Sequence, residues 1–448
     1  MFTTGDETAL LHRRSEAVRA AHDAVIANLR VDPVDGAAHR APGAGYCELL
    51  ADVTFPQFQA GDPPFATEGQ FVLDAAGTPT VQRMETVPLV LTIPDGPMPA
   101  GGWPLYQFFH GSGGLSSGVV DLGYSPTAAD QPIVGEGPAF VVARHGLATA
   151  SSALPLNPER YRDASDYEYL NLQNLGAFPS TFQQGVIEQR LLLDALLALR
   201  IPPATIAACR STLPAGVTEH RFSPDRLTAG GQSMGGMYTN MIGAVEPRFG
   251  ALVPTGAGGF WNLMILDTGL IPGTRGFLAG VFSTDEAPLS FMHPGMELLA
   301  AGWEIADPMV AMARLARRPM AGSAARHVYE PVGKGDVYFP TTVFDAAALA
   351  YGNQQAGTEV WPGMQQARAL DGLGGLAAYP VSRNRPAGDG TMTTRVVVQF
   401  EPDGLLDAHY TYRQLETVKH QYGCFLASYV RTGTPVVPAP APLATACP

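Results

Sequence analysis

Near the N-terminus, Leu10, Leu11, Val18, Ala21, Val25 and Leu29 recur at helical spacing, which predicts an amphipathic helix over Glu7 to Leu29. A Pro/Gly-rich passage from Asp32 to Gly45 ends that rhythm. From Tyr46 to Ile93 the pattern is that of strands, closing on Val87-Pro-Leu-Val-Leu-Thr-Ile-Pro94. Two compact apolar runs, Trp103 to His110 and Ala139 to Ala143, read as buried strands, and Ser180 to Ile201 as a long helix. Asp225 to Gly230 leads as a strand through Gly231-Gln-Ser-Met-Gly-Gly236 into a helix over Met237 to Ala244. Phe260 to Pro319 is helical in rhythm and rich in Met (Met264, Met292, Met296, Met309, Met312). Strands return at Arg326 to Pro331 and Arg395 to Phe400, and Tyr412 to Thr432 closes as a helix.

Buried strands alternating with helices imply a mainly parallel sheet covered on both faces, an α/β protein. At 448 residues the chain exceeds one ordinary domain, so a core of about 250–300 residues must carry additions. The expected division is an N-terminal extension over 1–85, a catalytic core over 86–259 and 320–433, a helical cap or lid over 260–319, and a Pro/Ala-rich tail over 434–448. With 46% hydrophobic residues there is ample material for a large core.

The formal charge of −13, without any run of basic residues, would repel a phosphate backbone, so nucleic acid is not expected as a partner. Apolar stretches such as Leu191 to Leu199 fall short of the about 20 residues that cross a bilayer, so no membrane span is expected. Met1-Phe-Thr-Thr-Gly-Asp6 has neither the basic nor the apolar region of a secretory signal. Four cysteines (Cys47, Cys209, Cys424, Cys447) without a C-x-x-C pair argue for disulfides rather than zinc. Three pairings are open; Cys424 with Cys447 and Cys47 with Cys209 is the one expected. A secreted or periplasmic protein, its signal removed, is favoured over a cytoplasmic one holding free thiols. The sequence is silent on oligomeric state.

Gly231-Gln-Ser233-Met-Gly235 matches G-x-S-x-G between a strand and a helix, a nucleophile elbow whose crowded backbone admits only small flanking residues. A serine hydroxyl needs a base to take its proton and donors to hold the oxyanion that forms. His110-Gly-Ser-Gly-Gly114 follows an upstream strand, where Ser112 N–H, with Gly113 beside it, would join Met234 N–H as the oxyanion donors. Of the histidines downstream, His293 lies in the helical insertion, His327 at the start of a strand and His420 inside the closing helix. That leaves His409, on a loop after the last strand, as the base. Asp336, in Gly333-Lys-Gly-Asp-Val-Tyr-Phe-Pro340, follows a strand on a Gly-bearing loop. Asp345 lies in a helix, and Asp403 and Asp407 are too close to His409 in sequence.

These four motifs, in this order from about Leu89 to Val430, resemble the bacterial α/β-hydrolase superfamily, and more narrowly secreted esterase or lipase-like members with a helical insertion between nucleophile and acid. The resemblance implies an α/β-hydrolase fold and an acyl-enzyme mechanism in which Ser233 attacks, His409 shuttles the proton and Asp336 holds the imidazole. It needs neither metal nor cofactor. The histidine motif departs in having Ala408 where Gly is commoner. The expected substrate is a small or polymeric ester of a moderately hydrophobic acid; Trp261, Phe291 and Trp303 of the insertion either line the acyl site, act as a lid, or are plain core residues of a helical cap. A peptidase of the same fold and a noncatalytic hydrolase-like binding protein are the alternatives; filled triad positions disfavour the second.

Overall fold

The computed structural model describes residues 5–33 and 45–448. Among them the central sheet has eleven strands. In chain order these are β1 (Val25–Val31), β2 (Tyr46–Gln57), β3 (Arg83–Pro94), β4 (Leu105–Phe109), β5 (Ala148–Ser152), β6 (Leu227–Gln232), β7 (Phe249–Thr255), β8 (His327–Gly333), β9 (Gln354–Ala356), β10 (Leu376–Ala377) and β11 (Arg395–Phe400). Across the sheet they lie in the order β1-β2-β3-β5-β4-β6-β7-β8-β11-β9-β10. The first three strands and the β3–β5 pair are antiparallel; from β5 onward all neighbours are parallel. β4, β5, β6 and β11 are buried along their whole length, as expected for parallel strands covered on both faces.

Strand β2 pairs with β3 without interruption from Tyr46 opposite Pro94 to Gln57 opposite Arg83, so residues well before 86 are built into the central sheet. Two expectations are corrected. The first helix, α1 (Glu7–Ala21), stops short of Leu29, and β-branched Val25 and Ile26 open the edge strand β1 instead. The break expected over 32–45 lies mostly outside the described residues. Ala139 to Ala143, read as a strand, lie in a short helix, Pro138–Ala143, with Pro138 at its first position; the neighbouring strand is β5.

One face of the sheet is covered by α2 (Phe178–Ala198) and α3 (Met234–Val245), the other by the Pro138–Ala143 helix and by α8 (Glu416–Thr432). α1 is fastened to α2 by Arg19 with Asp194 (2.7 Å) and by Arg190 with Glu16. Between β7 and β8 run α4 (Trp261–Asp267), α5 (Thr274–Val281), α6 (Pro294–Trp303) and α7 (Pro308–Leu315). Met264, Met296 and Met312 of this segment are buried and serve as packing, whereas Met292 is exposed. Disulfides join Cys47 to Cys209, and Cys424 of α8 to Cys447 of the tail. No helix among the described residues is long and apolar enough to cross a membrane.

Glu330, fully buried on β8, accepts one hydrogen bond from Asn353 Nδ2 (3.0 Å), while its Oε1 and Asn353 Oδ1 have no partner among the described residues. Burial, only partly offset by the Asn353 bond, pushes its pKa from 4.5 up to about 8. The folded protein therefore keeps this carboxyl protonated where the unfolded chain ionises. Unfolding releases a proton between those values, and stability is lost as pH rises from about 4.5 towards 8. Glu330→Gln removes that loss and offers Asn353 Oδ1 a donor. It is expected to raise Tm at pH 8, by on the order of a few kcal/mol in stability, and to change it little at pH 4. Equal shifts in melting temperature at the two pH values would contradict the titration.

Candidate active site

The turn between β6 and α3 is as tight as its glycines imply. Ser233 has φ +60° and ψ −123°, a conformation rare for a residue with a side chain and costing about 1–3 kcal/mol. A Cβ on Gly235 would lie 1.9 Å from Phe109 O, and one on Gly231 would lie 2.4 Å from Gly235 O. The flanking glycines are thus fixed by the approach of β4. Ser233 N–H donates to Thr255 O (2.9 Å) and Thr255 Oγ1 donates to Gly231 O (3.0 Å), which anchors the strained turn to β7.

Asp336 follows β8 past Gly335 (φ +81°). Its Oδ1 accepts the backbone N–H of Tyr338 (2.8 Å) and of Phe339 (2.9 Å), and its Oδ2 faces His409 Nδ1 at 2.8 Å. A carboxylate only accepts, so the imidazole proton sits on Nδ1 and Nε2 keeps its lone pair. His409 is set on a 3-10 turn, Ala408–Tyr410, whose start is capped by Asp407 Oδ1 accepting His409 N–H (2.8 Å). Tyr338 stacks flat on the imidazole, with centroids 4.2 Å apart and planes 13° apart, and its hydroxyl meets that of Tyr410 (3.0 Å). Ser233 and His409 line one cleft, although no hydrogen bond joins their side chains among the described residues; such contacts often tighten only when substrate is bound.

The rival residues are engaged elsewhere. His293 Nδ1 accepts Gly295 N–H at the start of α6, His327 Nδ1 accepts Thr394 N–H at the far end of β8, and His420 lies beside Cys424. Asp345 accepts the Trp361 indole N–H (2.8 Å), and Asp403 caps its own loop through Leu405 N–H (2.9 Å).

After β4 the chain turns through His110 to Gly114. His110 is fully buried; its Nδ1 donates to Gly111 O (2.8 Å) and its Nε2 accepts Leu154 N–H (3.0 Å). Burial, against the Gly111 bond, pushes its pKa down to about 4 and keeps the ring neutral in the one tautomer these partners accept. The Gly113 amide is taken by Asn157 Oδ1 (3.1 Å), and Ser112 Oγ donates to Tyr169 OH (2.8 Å). The backbone amides of Ser112 and Met234 have no acceptor among the described residues, as an oxyanion hole requires.

Two spaces meet at Ser233. A cleft of about 340 Å³ contains His409, Gly113, Asp166, Tyr167, Tyr410 and Arg413. On the other side a narrow apolar chamber of about 20 Å³ is lined by Trp261, Met264, Met237, Tyr169 and Phe339. Trp261 and Gly113 thus lie at Ser233, but Phe291 does not. It packs on Phe260 (5.4 Å) and lines neither space. Tyr338, Tyr169 and Asn157 were not singled out from the sequence; only Tyr338 lay in a recognised motif.

Strand order, the strained serine between β6 and α3, an acidic residue after β8 and a histidine after β11 together define an α/β-hydrolase fold with serine at its elbow. No protein-family model and no curated protein matches the chain. Solved structures of similar fold include acetyl xylan esterase from Paenibacillus sp. R4, with 12% identity over 90% of this chain and 92% of that one, at a TM-score of 0.48. Acetyl xylan esterase 1 from Thermoanaerobacterium sp. JW/SL YS485 has 12% identity over 90% and 89%, with a TM-score of 0.44. An S-formylglutathione hydrolase from Agrobacterium tumefaciens has 11% identity over 87% and 95%, with a TM-score of 0.38.

Proposed function

We propose that this protein is a serine hydrolase that cleaves carboxylic esters through an acyl-enzyme. The observation that carries this reading is the imidazole of His409, held by Asp336 with Nε2 free, in the same cleft as a serine displayed on a strained elbow. Ser233 Oγ attacks the acyl carbon while His409 Nε2 takes its proton, and the N–H groups of Ser112 and Met234 receive the oxyanion. The proton then passes from His409 to the departing alkoxide, and a water molecule activated by the same imidazole releases the acid. His409 becomes cationic in each half-reaction, beside the carboxylate of Asp336 and under the ring face of Tyr338.

Trp261 and its neighbours favour an apolar acyl group, carried by a small or polymeric ester. The helices of 260–319, which supply much of that wall, act in this reading as a cap. The disulfides support a secreted or periplasmic setting. Hydrolysis of p-nitrophenyl esters from acetate to palmitate, with a serine-directed phosphonate as a covalent probe, tests the proposal. Turnover and labelling at Ser233 support it; a protein inert to both sinks it and brings forward a peptidase or a noncatalytic binding protein.

A further inference from the structure

Beyond the chamber at Ser233 lies a second, larger space of about 270 Å³ between Leu175 and the helices α5 and α6. Leu172, Ile265, Ile271 and Trp303 border both, so the two are separated by one layer of side chains. Leu278 and Leu299 line its walls, and no charged side chain among the described residues does. Of its polar members, Thr274 is already spent, its hydroxyl donating to Ile271 O (2.6 Å). Its rim carries Phe277, 62% exposed, and Leu172, 42% exposed.

The two sides of Ser233 differ in chemistry. His409 lines the cleft and not the chamber. The leaving alkoxide must take its proton from His409, so the alcohol lies in the cleft, among Asp166, Tyr167, Tyr410 and Arg413. The acyl group is thereby directed into the chamber. That chamber holds little more than a short acyl stub, since a single water needs about 10–15 Å³ by the same measure. For a longer tail, the adjoining apolar space past Ile265 and Ile271 offers a way onward.

We infer that the second space is an acyl-tail pocket, and that the protein acts on esters pairing a medium-length aliphatic acid with a polar alcohol. This rests on the proposed esterase reading. The four shared side chains form a gate that yields to a flexible tail, and the exposed apolar rim tolerates the end of a longer one. Alkyl burial then raises kcat/KM with chain length until the tail passes Phe277.

The test compares p-nitrophenyl acetate, butyrate, octanoate, decanoate and palmitate on the wild type and on Leu299→Trp, which fills the second space. The wild type is expected to prefer octanoate or decanoate. Leu299→Trp is expected to lose roughly tenfold or more on those two, the scale of evicting one or two methylenes, while acetate hydrolysis stays within about twofold. If Leu299→Trp loses acetate hydrolysis too, Phe277→Glu at the exposed rim replaces it and is expected to penalise decanoate and palmitate while sparing acetate and butyrate. A wild type that prefers acetate, or a replacement that leaves the chain-length profile unchanged, overturns the pocket and leaves the esterase reading standing. A wild type inert to every ester overturns both.

Discussion

Ser233→Ala is expected to lower kcat for ester hydrolysis by about a millionfold and to leave the fold in place. Without the hydroxyl no acyl-enzyme forms, and His409 has no proton to take; what survives is the small acceleration that the Ser112 and Met234 amides lend to attack by water. Stability should change by less than about 1 kcal/mol. The backbone strain at φ +60° is the same for alanine as for serine, and Ser233 Oγ makes no hydrogen bond among the described residues. The elbow's anchors, Ser233 N–H to Thr255 O and Thr255 Oγ1 to Gly231 O, belong to groups the substitution keeps. Kinetics with a p-nitrophenyl ester, phosphonate labelling read by mass, and a melting curve are measured together. Activity near that of the wild type in a labelled, folded variant would remove Ser233 from the mechanism.

The elbow is legible in the sequence because its crowding is answered beside the serine. The atoms that crowd it include Phe109 O of β4, far away in the chain, but the answer is two glycines flanking Ser233 in adjacent letters. Asp336 and His409 are legible at one remove, through their places after particular strands. What lacks a local mark is harder. β5, Ala-Thr-Ala-Ser-Ser, is a fully buried strand without a Val, Ile or aromatic residue; its small side chains let the covering elements approach, and nothing in its periodicity declares it. Ala139 to Ala143 is apolar enough for a strand but too short for periodicity to decide, and Pro138 after Gly137 is the cue to a helix start. The flat stack of Tyr338 on His409 joins two loops far apart in sequence, and no pattern around either residue encodes it. Phe291 illustrates the converse. Its apolar character was readable, but its partner, Phe260, was not.

Asp336→Asn is expected to lower kcat by about ten-thousandfold at neutral pH with little change in KM or melting temperature. The direction follows from what surrounds the carboxylate. Oδ1 receives two backbone donors, Tyr338 N–H and Phe339 N–H, and only an oxygen can satisfy both. An asparagine must therefore place its carbonyl there and turn its NH2 towards His409. A donor facing Nδ1 requires the imidazole to accept at that atom, which moves the ring proton to Nε2. The nitrogen that should take the Ser233 proton is then occupied, and the positive charge that would form on the ring no longer meets an anion. The loop itself keeps its hydrogen bonds, so the melting curve should barely move. Asp336→Ala makes the contrast. It strands the two amides as well as the imidazole, and should cost about 1–3 kcal/mol of stability in addition to activity. An Asp336→Asn variant with near wild-type kcat would mean that Asp336 only supports the loop and that another group sets the tautomer of His409.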